Sequence, residues 1–181
     1  MDHSPGRISG RGPYRDRLNE EVWSRLVEIV SAANRGDADA HFSAISKWPE
    51  ELSLVGHQRA AVYLLYLLYR QVKTTIGRAP TQADLHELTS TVYPRFREIL
   101  TADELLLEET FRAVFEFPPL RVTLKPGERV ALSSVALGVL MVDPAREMEA
   151  MRPGMAGWLS RNQEKFRAEG MLDDPSGAER P

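Results

Sequence analysis

Apolar residues recur at helical spacing along most of this chain. Leu18, Val22, Leu26, Ile29 and Ala33 fall three and four apart, with Glu20, Glu21, Ser24, Arg25 and Glu28 on the remaining positions. An amphipathic helix is therefore predicted from about residues 14–18 onward. Gly36 follows Asn34-Arg35, where a left-handed residue closes a helix. Asp37 is placed to cap a short helix carrying Phe42 and Ile45 on one side and ending at Trp48-Pro49.

The strongest pattern lies between Ser53 and Gly77. Val55, Gln58, Val62, Leu65, Tyr69, Val72 and Ile76 alternate at three and four residues over three heptads. Leu64, Leu67 and Leu68 widen that stripe until the middle of the helix is apolar nearly all round, which predicts a central position. Arg59 and Arg70 bound the apolar run, and Gly77 stops it. Tyr63, Tyr66 and Tyr69 are three apart, so they wind gradually round the axis, and their hydroxyls need partners if buried.

Thr81-Gln82-Ala83-Asp84 resembles a capping box with Asp in place of Glu. The helix it opens carries Leu85, Leu88, Val92, Phe96 and Ile99, with a kink or break expected near Tyr93 because Pro94 follows. Thr101 to Glu104 reads as a second capping box, before a helix through Leu107, Phe111, Val114 and Phe115 that must end before Pro118-Pro119. Leu120–Leu124 suits a brief extended piece. Valine in Val130–Val142 permits a strand, but thirteen residues suit a helix. Ala131, Ser134, Ala136 and Gly138 would let another helix approach it closely. Asp143-Pro144 opens a short helix to about Met151. A last one, Met155 to Ala168, offers Trp158, Leu159 and Phe166 for docking.

These elements predict an all-α fold: a single compact bundle of about seven or eight helices around the apolar helix at about 54–76. A flexible basic arm at 1–14 precedes the helical domain, 15–169, which has a candidate seam at 118–126. A disordered acidic tail, 170–181, follows. The composition agrees with one globular domain: 181 residues, 43% hydrophobic and 27% charged, with a net charge of −3. The arm (1–17) carries +2 and the tail (171–181) −2, so the body is itself acidic. The bias of 19 Arg to 4 Lys reads as codon drift in a GC-rich, bacterial genome. No apolar run of signal-peptide length occurs in the first seventeen residues. The longest uncharged stretches, Ala60–Tyr69 and Val130–Val142, are too short to span a bilayer. The expectation is a cytoplasmic protein without a membrane partner.

Candidate chemistry is sparse. With no cysteine, disulfides, thiolate zinc sites, iron–sulfur ligation and a cysteine nucleophile are excluded. Outside the arm the histidines are His41, His57 and His86, and no two have the spacing of a zinc helix. Asp84, His86 and Glu87 read as a solvated helix start. His57, in the first turn of the apolar helix, has its neutral form favoured by the dipole. Ser133-Ser134 is expected to bond back to its own helix. No nucleophile elbow, phosphate loop or dinucleotide fingerprint occurs. No catalytic residue, metal or cofactor is assigned, and the enzyme reading is disfavoured.

Residues 81–100 have the rough rhythm of a helix-turn-helix, but they lack a turn glycine and carry Pro94 where the second helix should run. A nucleic-acid site, if one existed, would use Arg7, Arg11, Arg15 and Arg17 together with Arg95 and Arg97. Neighbouring carboxylates disfavour it. Two function classes stand ahead of it. The first is a non-enzymatic interaction protein, a homo-oligomer or adaptor working through an apolar helix face. The second is a small-molecule-sensing domain whose cavity, near His57, Tyr63, Tyr66 and Tyr69, takes an apolar ligand.

Overall fold

A computed structural model of the chain describes residues 13–48, 54–118 and 126–168. Eight α-helices and one short 3-10 turn make up the described residues: α1 (Pro13–Asn34), α2 (Ala38–Ser46), α3 (Leu54–Ile76), α4 (Gln82–Phe96), α5 (Glu104–Val114), α6 (Pro126–Leu140), α7 (Pro144–Met151), the turn Arg152–Gly154, and α8 (Met155–Ala168). No strand occurs among them. Residues 1–12 of the arm, the tail and the extended piece at Leu120–Leu124 lie outside the described residues, as does most of the candidate seam, whereas residues 13 and 14, expected in the arm, open α1.

Local chemistry sets most helix ends. Gly36 takes φ +72°, with its N–H on the Ala33 carbonyl and that of Asp37 on Ala32, which together close α1 in a Schellman turn. Asp37 then caps α2 by accepting from the Ala40 N–H. Gly77, at φ +79°, ends α3. Thr81 and Asp84 form the reciprocal capping box at the start of α4, and Asp143 caps α7 ahead of Pro144.

Four sequence expectations need correction. Phe42 is 75% exposed, whereas His41, Ala44 and Trp48 are buried; three-and-four spacing puts those three on one face, with Phe42 beside it. Pro94 does not split α4 into separate elements. It sits in the last turn, where α4 continues to Phe96 and stops at Arg97, so no helix-turn-helix exists here. Ile99 therefore lies beyond α4, although still buried. The cap of α5 is Asp103, accepting from the Leu105 N–H; Glu104 instead accepts from the Ser90 hydroxyl at 2.9 Å.

The helix α3 packs against α1, α5, α6, α7 and α8, and α6 packs against α1, α3, α4 and α5. One hydrophobic cluster runs through all of them, with Leu26, Leu67, Leu85, Phe96, Leu107, Phe111 and Leu137 fully buried. The small residues of α6 act as their sizes predict. A Cβ added at Gly138 would stand 2.6 Å from Ala33 Cβ and 2.8 Å from the Asn34 amide nitrogen, so glycine is what allows α1 and α6 to cross this closely. At the same crossing the Asn34 side-chain amide donates to the Gly138 and Met141 carbonyls at 2.9 and 2.7 Å. Those carbonyls are among the orphans at the end of α6. Arg95 donates to the Asn34 carbonyl at 2.7 Å, serving the end of α1 in the same way. No helix among the described residues is long and apolar enough to cross a membrane.

Candidate binding cleft

On the side of α3 away from α1 the packing leaves an open cleft of about 1820 Å³, walled by α3, the end of α5, the start of α6 and α8. Its α3 wall is a row at steps of four: His57, Ala61, Leu65, Tyr69 and Lys73. The heptad stripe expected on α3 is thus divided. Val62 and Val72 enter the core, while Leu65 and Tyr69, half-buried, face the cleft.

The three tyrosines separate as they wind round α3. Tyr63 faces α1, packing edge-on to Trp23 at 6.5 Å and donating to Asn19 Oδ1 at 3.0 Å; it does not line the cleft. Burial there raises its phenol pKa. Tyr66 donates to the Met151 carbonyl at 2.7 Å. It can do so because residue 154 is glycine: a Cβ there would lie 2.5 Å from the Tyr66 hydroxyl oxygen. Tyr69 turns fully to the cleft, its ring 5.3 Å from Phe115 and 6.2 Å from Trp158. Trp158 also meets Tyr66 at 5.4 Å and Phe166 at 5.3 Å. A continuous floor of five rings results. His57 reaches the same space from the start of α3, against Trp48 at 6.3 Å. Of the four residues expected at a cavity, the structure thus gathers His57, Tyr66 and Tyr69, and assigns Tyr63 to the helix–helix contact.

The edge of the cleft is cationic, which residue spacing does not reveal. Arg70, Lys73, Arg129, Arg161 and Lys165 line it, against Glu109 and Glu116. Glu116 ion-pairs with Lys165 across the gap between α5 and α8. It does so from a left-handed backbone at φ 58°, a conformation that usually selects glycine. Lys73 donates to the Tyr69 hydroxyl at 3.3 Å. Arg70, Arg129 and Arg161 have no carboxylate partner among the described residues.

Two other polar clusters contain histidine, and neither is arranged for catalysis. His41 Nε2 lies 2.8 Å from Ser134 Oγ, and that hydroxyl bonds back to the Ala131 carbonyl at 3.0 Å. The Ser134 hydroxyl therefore has two neighbours in hydrogen-bond reach, the His41 ring nitrogen and the Ala131 carbonyl of its own helix. The pair is also buried, and desolvation holds the imidazole pKa below its usual value. His86 meets Glu108 at 2.9 Å on the surface between α4 and α5. Its hydrogen bond and the Glu108 charge raise its pKa. Glu108 lies 3.6 Å from Arg112, which in turn donates to the Pro118 carbonyl at 2.8 Å. This is a structural clamp between two helices. No group of three His, Asp or Glu side chains suited to a metal ion occurs among the described residues.

The candidate nucleic-acid set is not gathered by the described residues. Arg7 and Arg11 lie outside them, and the side chains of Arg15 and Arg17 are likewise not described. Arg95 is engaged at the end of α1, and Arg97 is exposed beside Glu98. No family model, curated protein or solved structure matches the chain.

Proposed function

We propose that this protein is a non-enzymatic ligand-binding domain whose cleft receives an apolar small molecule. The observation that carries this reading is the set of half-buried rings Tyr69, Phe115 and Trp158, backed by the buried Tyr66 and Phe166, between α3 and α8. Rings fixed by neighbouring helices lose little entropy when a ligand covers them, so the apolar area they offer is available for binding. A sensing role follows from the construction. The walls come from four helices, so a ligand bridging them ties α8 and the end of α5 to the core and stabilises the whole domain.

Self-association through an apolar helix face has less behind it. Five other helices of the same chain pack on α3 and leave its apolar surface open only along the cleft. The exposed large apolar side chains among the described residues, Phe42, Leu105 and Val142, sit on α2, on α5 and after α6.

The test is a titration with the neutral fluorescent probe N-phenyl-1-naphthylamine. Saturable one-site enhancement is expected. Trp158→Ala should weaken it about tenfold, because covering such a ring is worth roughly 1.5–3 kcal/mol. Enhancement that neither saturates nor responds to Trp158→Ala and Tyr69→Ala would overturn the reading.

A further inference from the structure

Resting on the binding reading above, we infer that the ligand is an amphipathic anion: an apolar body carrying one carboxylate or phosphate head, the head held by Arg70 and Arg161. The floor and the edge of the cleft ask for different things. The floor is aromatic and offers a flat apolar surface. The edge carries Arg70, Lys73, Arg129 and Arg161, of which only Lys73 has a hydrogen-bond partner among the described residues. The protein as a whole is acidic, at −3, so a cationic edge here is a local departure and not a reflection of overall charge.

Two guanidiniums of this edge lie beside the segment that leads into Trp158. Arg70 Nη1 would lie 3.4 Å from a Cβ at Gly154, and Arg161 Nη1 3.5 Å from a Cβ at Gly157. The two glycines are three residues apart, Gly154 ending the turn before α8 and Gly157 in its first turn, both just ahead of Trp158. Residues without side chains at both places leave each guanidinium lying against bare backbone, open to the cleft. Trp158 follows directly, so a head bound by Arg70 and Arg161 places its apolar body on the ring floor. Guanidinium groups hold carboxylate and phosphate oxygens through paired, charge-assisted hydrogen bonds. Such a site discriminates strongly by head charge, while the floor is indifferent to it. Of the carboxylates that line the same space, Glu116 is spent on Lys165, and Glu109 is buried on α5, the helix across the cleft from α8.

Four probes of one chain length separate the head from the body: dodecanoate, dodecyl phosphate, dodecanol and dodecyltrimethylammonium. Each is used below its micelle threshold to displace N-phenyl-1-naphthylamine from the full chain. Both anions are expected to bind at least about tenfold tighter than dodecanol, and the cation more weakly than dodecanol. The Arg70→Ala/Arg161→Ala variant should bring the anions to within about threefold of dodecanol while leaving dodecanol where it was. Raising sodium chloride should narrow the same gap in the unmodified protein. Equal affinity for dodecanol and dodecanoate would overturn the anion inference and leave the binding reading standing. No displacement by any probe, with no saturable probe binding, would overturn both. Binding to phosphatidylglycerol vesicles without displacement by the free anions would also overturn it, since the head group would then belong to a membrane surface.

Discussion

The two sides of the α3–α6 pair solve the same packing problem in opposite ways. Toward α1, side chains are small where backbones meet: Gly138 faces Ala33, and the carbonyls freed at the ends of both helices are taken by Asn34 and Arg95. Toward α8, side chains are large, and five rings meet at their edges and tilted faces. Small residues let helix axes close until no space remains. Rings keep axes apart, and once the second layer is as short as α8 and the end of α5, the space between them stays open. A close crossing makes a rigid wall, and an aromatic one makes a cleft.

The largest effect that would test this contrast is a pair of truncations. Leu26→Ala, on α1 and fully buried, should cost roughly 2–5 kcal/mol in denaturant unfolding. Leu65→Ala, on the cleft face and half-buried, should cost about 1 kcal/mol or less and weaken probe binding instead. Equal costs would mean that the cleft side is packed as solidly as the other.

A second pair compares two glycines of α6. Gly138→Ala forces a methyl into Ala33 and the α1 backbone, with an expected loss of about 1–3 kcal/mol. Gly127→Ala meets nothing within 4 Å and should be neutral or gain up to about 1 kcal/mol from helix propensity. Similar melting shifts for the two would show that α1 and α6 are not in tight register.

The smallest effects concern two histidines, one on each kind of surface. Burial lowers the pKa of His41, so the unfolded chain takes up its proton first. Its contribution to stability is complete above about pH 6.5 and declines as the pH falls below that. His86 is raised by Glu108, so its contribution is complete below about pH 6.5 and disappears as the pH rises through its folded value. A denaturation series across this range should show His41→Asn flattening the acid side and His86→Ala the alkaline side. His86 is exposed, so its effect should be the lesser of the two and should shrink with added salt.

Much of the fold is legible in the residue pattern. The helix ends at Gly36-Asp37, Gly77, Thr81-Asp84 and Asp143-Pro144 are written in short-range chemistry, and each is settled within one turn of chain. Expectation and structure part where two local solutions compete. Thr101 and Asp103 can both cap α5, and the helix begins with Asp103 as its cap. Phe42 has the apolar character of a core residue, yet the neighbouring face of α2 is the one that α1 covers. Pro94 gives up the one N–H that would have met the Ser90 carbonyl, yet with only two helical residues after it α4 is left whole. The row His57, Ala61, Leu65, Tyr69 and Lys73 exists as a spacing along the chain, but the spacing does not say which way it faces.

Pattern and composition alone account for an all-helical chain, the extent of most of its helices, the central position of α3, and the close approach that Gly138 permits. The helices and their ends follow from hydrogen bonds within a few residues of one another, and the last two from the size and polarity of side chains along a single helix. The open face of α3, and the tyrosine that turns away from it toward α1, were settled by the packing of the helices. That packing also brought Arg70, on α3, beside Gly154 in the turn that precedes α8. Those outcomes depend on where helices distant in the chain come to rest, and that is set by the fit of whole faces. No spacing along the chain encodes it.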